Sequence, residues 1–516
     1  MVKYIIFKMN SKQNQEISKG LKLLAKSSVV VFFGLFLSKV FTYVYKIIIA
    51  RYYGPEVYGL FTLGIMILSA IVALASFGFS EGLVRYVSFY RGKKGKNKIR
   101  FLYRTSLLIL TISGIIAGLI LFFLSDFISV TFFHNAELII FLKIFSFLIP
   151  VFIFANIFLA FLRAYEKISE FSFVFNILQN VIKVAFLGLF VFLGWTTNAI
   201  AFSYFLGIFS MFVVAYFLCR YKLPQIFLGY DLSKEEKKQI KKEFVSYSWP
   251  ILFLGVITLI FSWIDSFSIA YFMDVSSVGF YNAAFPIAAL MGVAPELFRQ
   301  LFLPLITKEY SRGNLEVIKE LSKQSAKWIF IINLPLFIIL FLFPGAVINL
   351  LFGSEFISAT MALRILCISG IFTSLNLLLV NLILMAGKSK IILINLVVFS
   401  ILNLVLNILL VPLFGINGAA ASTTFVNIGM ALVLFIEVKS SVKIVPLRRK
   451  MLRILLISII PTGILLILKS FISINIFSLV LLGAFFFLLY FALIFLTRSF
   501  DRNDLEIFRA FWKKIF

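Results

Sequence analysis

The sequence predicts an all-α integral membrane protein with about fourteen transmembrane helices, arranged as two pseudo-symmetric six-helix lobes plus two C-terminal helices. Three observations lead there. Hydrophobic residues make up 62% of the 516 and charged residues only 14%, with a mean hydropathy of +1.06; soluble domains hold about 45–50% apolar residues. Apolar segments of spanning length, about 20 residues, follow one another along the chain. Two motifs also recur at nearly one spacing. Residues 49–63 (IARYYGPEVYGLFTL) lie over 269–283 (IAYFMDVSSVGFYNA) at an offset of 220, with Ile49, Ala50 and Gly59 on Ile269, Ala270 and Gly279. Gly194-Trp195-Thr196-Thr197-Asn198-Ala199 lies over Gly415-Ile416-Asn417-Gly418-Ala419-Ala420 at 221. Such agreement argues for two related halves, and in transporters the site usually lies between such halves.

Taken in order, the expected spans are 28–50, 57–79, 102–124, 138–161, 171–193, 198–219, 247–272, 279–303, 328–350, 361–386, 391–413, 417–438, 452–468 and 476–497. The first six form an N-terminal lobe, 1–219. A cytoplasmic linker, 220–246, precedes a C-terminal lobe, 247–438; two additional helices, 439–497, and a cytoplasmic tail, 498–516, complete the chain. In the linker, Ser233-Lys234-Glu235-Glu236 reads as a capping box ahead of a charged helix. Asn314 is a candidate cap in the similar segment 306–327. Residues 501–516 put Leu505, Phe508, Phe511, Trp512 and Ile515 on one face, an interfacial helix serving as an anchor or a docking site. The apolar run Tyr4-Ile5-Ile6-Phe7 is too short for a signal-peptide core, so none is expected. Cys219 and Cys367 are isolated, which indicates neither a disulfide frame nor a metal site.

A net charge of +27 raises the question of nucleic acid. Its placement answers with topology instead: 42 of the 49 Lys and Arg lie in the terminal segments or in every second connection. The other connections (51–56, 125–137, 194–197, 273–277, 344–360 and 414–416) hold only Arg51. Lysine and arginine mark the cytoplasmic side and attract anionic lipid heads, so both termini are expected inside, in a multi-pass cell-membrane protein.

No catalytic or energy-coupling motif is present. Gly92-Lys93-Lys94-Gly95-Lys96 has neither the spacing nor the helix context of a phosphate-binding loop. H-E-x-x-H, G-x-S-x-G and metal-ligand clusters are missing as well, and the single histidine, His134, sits in an outer loop. The reading is a secondary transporter: not an enzyme, with no cofactor and no metal, and expected as a monomer.

Ionisable side chains at the bilayer centre cost at least about 2.5–3.5 kcal/mol, so they normally face a cavity or a partner. In the first span, Lys39, Thr42 or Tyr43, and Lys46 fall on one helix face. In the fifth, Asn176, Gln179, Asn180 and Lys183 follow the same spacing; in the seventh, Thr258, Ser262 and Asp265 do. Lys46, and Arg364 at the start of the tenth, either snorkel or line a cavity. Lys39, far from both ends of its span, is the stronger cavity candidate. The three amides either line that cavity or serve as interhelical hydrogen-bond glue. Asp265 neutralises a lysine, or takes up a proton or cation. Arg85, four residues after Glu81, makes an inner-interface ion pair or meets ligand. Fixed cations with few fixed anions suit a phosphorylated substrate, whereas an exporter of organic cations would present carboxylates and aromatics.

Ala50-Arg51-Tyr52-Tyr53-Gly54-Pro55-Glu56-Val57-Tyr58-Gly59-Leu60-Phe61 and Gly78-Phe79-Ser80-Glu81-Gly82-Leu83-Val84-Arg85-Tyr86 carry a resemblance. Val278-Gly279-Phe280-Tyr281-Asn282-Ala283-Ala284 and Gly415–Ala420 support it. The sequence resembles the polysaccharide-transporter branch of the multidrug/oligosaccharidyl-lipid/polysaccharide exporter superfamily, whose members include O-antigen and exopolysaccharide repeat-unit flippases. The resemblance implies that a polyprenyl-diphosphate-linked oligosaccharide is turned from inner to outer leaflet by alternating access, beside glycosyltransferases or a polymerase of the same pathway. Related peptidoglycan-precursor flippases carry two arginines six residues apart in the first helix. Here Lys39 matches the first position and Tyr45 the second, with Lys46 beside it. Lys39 and Lys46 are then the expected diphosphate contacts, with Lys183, Arg364 and Arg85 assisting and Asp265 coupling or balancing charge. A sodium- or proton-coupled multidrug exporter of the same superfamily is the alternative.

Overall fold

A computed structural model describes the backbone of residues 11–446, 448–471 and 475–497, and side chains from residue 34 onward apart from a few. The Tyr4–Phe7 run and the amphipathic stretch 501–516 lie outside the described residues. Among those residues, thirteen helices are long and apolar enough to cross a membrane. All fourteen expected spans are accounted for, because the first helix carries two of them. That helix, α1 (Ser11–Ala75), leaves helical geometry at Gly54, with φ 81° and ψ −178°, and resumes at Pro55. Its apolar part, Gly34–Ala75, is 42 residues, about 63 Å at 1.5 Å per residue, or twice the bilayer core. A proline at the first position of the new helix loses no hydrogen bond and fixes its φ, and glycine alone takes the positive φ cheaply.

The chain divides into two compact units, Met1–Ile260 and Phe261–Phe516. In the first, α2 (Phe79–Gly92) and α3 (Lys96–Phe127) lead to α4 (Leu138–Ala164), α5 (Ile168–Phe192) and α6 (Asn198–Lys222). Helix α7 (Lys234–Phe272) crosses from one unit into the other, its start capped by Ser233. As the sequence predicts, the Glu236 amide donates to Ser233 Oγ and the Ser233 amide to Glu236 Oε2, both at 3.2 Å. The second unit continues with α8 (Val275–Ala289), α9 (Val293–Ser311), α10 (Leu315–Leu342) and α11 (Pro344–Leu351). It ends with α12 (Thr360–Met385), α13 (Ser389–Phe414), α14 (Ile416–Ser441), α15 (Arg449–Phe471) and α16 (Ile476–Leu496). Asn314 stands at the start of α10, but its amide donates to Glu309 Oε2 at 2.7 Å instead of capping the helix.

Both repeated motifs are breaks between helices. The helix break at Gly54 matches, at offset 220, Asp274, which caps α8 by accepting from the Ser277 amide at 2.7 Å. Gly194 and Gly415, the heads of the second motif, both take positive φ, 74° and 60°. The half-to-half similarity therefore marks the positions where each unit must turn its backbone.

Small residues let helices touch. A Cβ on Gly118 of α3 would stand 2.8 Å from the Ser146 carbonyl oxygen of α4. One on Gly418 would run into the Leu410 carbonyl, the backbone of α13. Close approach of this kind is how helices associate in lipid, where no hydrophobic force acts between them. Gly418→Ala should therefore destabilise by about 1–3 kcal/mol, although alanine is the better helix former. Gly188→Ala, with nothing within 4 Å of its added methyl, should be neutral or stabilising by about 0.5–1 kcal/mol. Thermal melting of the two purified variants against the parent checks the contrast.

Candidate functional site

In the first unit, α1 places Lys39 exposed and Lys46 half-buried, seven residues apart along one face with Tyr43 between them. Among the described residues neither ammonium has a carboxylate within ion-pair distance, so the face is cationic. Tyr45 turns the other way. It is 4% exposed, and its hydroxyl donates to the Ile200 carbonyl of α6 at 2.9 Å and lies 2.9 Å from Ser203 Oγ. The position that the resemblance matches to a second arginine is thus taken up by packing, and Lys46 carries the charge one residue on.

Lys183 is enclosed inside the same unit, at 7% exposed. Its Nζ donates to Gln179 Oε1 at 3.1 Å and stands 3.9 Å from the centre of the Tyr204 ring. A desolvated ammonium over an aromatic face is held by the ring quadrupole, by about 2 kcal/mol. Gly207 makes the room: a Cβ there would collide with the Lys183 stem. The polar residues of α5 run back from this point as a ladder. Gln179 donates to the Phe175 carbonyl, Asn180 to the Asn176 carbonyl at 3.0 Å, and Asn176 to Ser172 Oγ at 3.1 Å. Asn180 also reaches Ser38 Oγ of α1 at 3.1 Å. The ladder lies on and just after a π-helical stretch, Phe173–Leu178, a bulge type that recurs at functional sites. The structure brings Asn176, Gln179, Asn180 and Lys183 together, and most of their bonds run along their own helix.

Arg85 is exposed on α2. The ion-pair alternative is corrected: Glu81 pairs with Arg163 of α4 at 2.7 Å, while the Arg85 guanidinium lies 4.1 Å from the centre of the Tyr247 ring. Glu81 and Arg85 project four residues apart, but α4 offers the guanidinium that approaches both oxygens of the carboxylate. Arg364 is half-buried on α12 and donates from Nε to the Phe341 carbonyl at 3.3 Å.

The second unit holds a buried carboxylate. Asp265 is 7% exposed and accepts from four neutral donors. Tyr281 of α8 donates at 2.5 Å and Thr423 of α14 also reaches Oδ2; Asn407 at 2.9 Å and Asn403 at 3.3 Å, both on α13, reach Oδ1. Its expected stripe-mates Thr258 and Ser262 are exposed on α7. The partners that sequence spacing misses come from three other helices. One signal is in the sequence: Asn403 and Asn407 stand four apart in a largely apolar span, hence on one face. Asn407 Oδ1 is buried without a donor, against the rule that buried polar atoms are satisfied.

One carboxylate ringed by two hydroxyls and two amides can take a proton, or, with the amide oxygens turned inward, a monovalent cation in an oxygen shell. An ion bound there should stabilise the protein by about 1–3 kcal/mol at saturation. Melting in sodium, potassium and a bulky organic cation reads this: the shift between salts should disappear in Asp265→Asn, which keeps the side-chain shape.

The sequence profile of the family described as polysaccharide biosynthesis protein matches residues 24–308, more than half of the chain. The MatE profile matches 250–409. An uncharacterised membrane protein of Methanocaldococcus jannaschii is 23% identical over 409 residues, 76% of this chain and 79% of its own. A putative O-antigen transporter of Shigella flexneri is 25% identical over 386 residues, 72% of this chain and 88% of its own. Among solved structures, lipid II flippase MurJ in an inward closed conformation superposes with a TM-score of 0.71 at 16% identity, over 90% of this chain and 98% of that one; this likeness concerns the fold. The chain belongs to the polysaccharide biosynthesis protein family, within the polysaccharide-transporter branch of the multidrug/oligosaccharidyl-lipid/polysaccharide exporter superfamily.

Proposed function

We propose that this protein is a flippase, not an enzyme, which carries a polyprenyl-diphosphate-linked oligosaccharide across the cytoplasmic membrane by alternating access for surface-glycan synthesis. The observation that carries the reading is the cationic face of α1, where Lys39 and Lys46 stand without a carboxylate partner among the described residues. An ammonium kept unpaired in a span costs several kcal/mol, a cost that a diphosphate passing over it offsets. The prenyl tail stays in lipid while the headgroup crosses. The family and the O-antigen transporter among the relatives support this substrate class.

In this cycle the lobes are 1–219 and 247–438, joined by 220–246, with both termini cytoplasmic. Lys183 and Arg364 assist, Arg85 receives headgroups at the inner surface, and the Asp265 cluster couples transport to a proton or cation. Partner enzymes supply the lipid-linked sugar and polymerise it outside. A cation-coupled drug exporter is the second reading, favoured by the MatE match over the segment that contains Asp265.

Replacing Lys39 and Lys46 together by Gln should abolish surface glycan display in a complemented host while membrane expression persists. Loss of about two contacts to a charged group, roughly 1.5–3 kcal/mol each, predicts a fall in rate of a hundredfold or more. Undiminished display would remove this face from the mechanism. The exporter reading predicts instead drug resistance on overexpression, dependent on Asp265 and indifferent to the lysines.

A further inference from the structure

Seven basic residues lie outside the lysine-rich connections, and the transport reading uses four of these: Lys39, Lys46, Lys183 and Arg364. Lys143 pairs with Asp126 at 3.2 Å. Lys469, near the end of α15, pairs with no acid among the described residues. Its Nζ donates to the Leu342 carbonyl at 2.9 Å and lies 5.1 Å from the centre of the Phe343 ring. Arg364 donates one turn-end carbonyl away, to Phe341. Both cations therefore sit on the C-terminal end of α10, where unsatisfied carbonyls and the helix dipole favour positive charge.

Capping does not exhaust them. Arg364 uses Nε alone, which leaves both terminal nitrogens without a partner among the described residues, and Lys469 keeps two further N–H bonds. They share one cavity of about 330 Å³, walled by Phe341, Met361, Ile365 and Ile368. That is small for a ligand pocket: room for one phosphate and the adjoining carbons of a tail, too little for an oligosaccharide. The lining is mostly apolar, and Met361 on it is 51% exposed, as a side chain in contact with bilayer lipid is. Helix α15 starts at Arg449 in a basic connection and reaches Lys469 twenty residues on, about 30 Å away. On the topology that the basic connections imply, the cavity lies toward the opposite, outer membrane face, at headgroup level.

We propose that Arg364 and Lys469 form a binding site for the phosphodiester headgroup of an anionic phospholipid of the surrounding bilayer, its chains lying against Met361, Ile365 and Ile368. The guanidinium offers a fork and the ammonium a point charge, the complementary donors that a phosphate takes. The lipid ties α15, from the C-terminal pair, to the ends of α10 and α12. This site shares Arg364 with the proposed transport cycle but not the Lys39 and Lys46 face of α1, and its argument does not rest on the transport reading.

Native mass spectrometry of the full chain released from nanodiscs of phosphatidylcholine and phosphatidylglycerol reads the retained lipid. Phosphatidylglycerol should be retained about tenfold over its share. R364Q/K469Q should lose the preference and R364K/K469R should keep most of it, with R364Q and K469Q singly falling between. The double substitution of Lys39 and Lys46 by Gln should leave it unchanged, so that failure of the transport reading is told apart from failure of this one. No preference in the parent protein overturns the proposal without recourse to any variant, as does equal retention in a monodisperse R364Q/K469Q. Added undecaprenyl phosphate displacing phosphatidylglycerol through the same two residues also overturns it, since the occupant is then a polyprenyl carrier.

Discussion

A backbone inside hydrocarbon has no water to bond, and every peptide group left unpaired there costs several kcal/mol. This constraint governs the whole chain. It makes each span a continuous helix and confines departures from helical geometry to places where another partner is at hand. The breaks at Gly54, Gly194 and Gly415, and the Asp274 cap, meet the constraint with positive-φ glycines, a proline at a helix start and a carboxylate on an amide. Within spans, the π-helical stretch Phe173–Leu178 and the 3-10 turn Leu290–Gly292 also depart from α-helical geometry. In the π-helical stretch the Gln179 and Asn180 amides donate to the Phe175 and Asn176 carbonyls.

The same solvent sets the terms for charge. The first unit places its embedded ammonium groups in three different environments. Lys39 is exposed, Lys46 half-buried, and Lys183 enclosed against Tyr204. The second unit holds a carboxylate whose partners are all neutral. Positive and negative groups are thus each supported by dipoles and aromatic faces instead of by one another. These groups are not spent on ion pairs with each other, whereas the pair Arg163–Glu81 holds α2 to α4.

Surface apolarity follows from the same logic. Phe123, Phe192, Leu413 and Leu488 are each more than 70% exposed, a pattern that would aggregate in water and is ordinary in lipid. Packing comes from close contacts at Gly118, Gly207 and Gly418 and from buried amides such as Asn333, which donates to Ser374 and the Met291 carbonyl at 2.8 Å each.

Sequence by itself determined the class, the spans, the capping box at Ser233 and the two recurring turns, because each depends on local composition and on residues close along the chain. It also picked out Asp265 and Lys183, since an ionisable group in an apolar run is conspicuous without knowledge of its neighbours. Only the tertiary structure decided who those neighbours are. The Asp265 shell gathers side chains from α8, α13 and α14, and no spacing within α7 could announce them; Thr258 and Ser262, with the right spacing, are exposed. Arg85 loses Glu81 to a guanidinium of α4 for the same reason. Lys469, silent in the sequence, gains meaning from a helix end more than a hundred residues earlier. Periodicity fixes which face of a helix a residue occupies, but which helix lies opposite that face is settled only by packing.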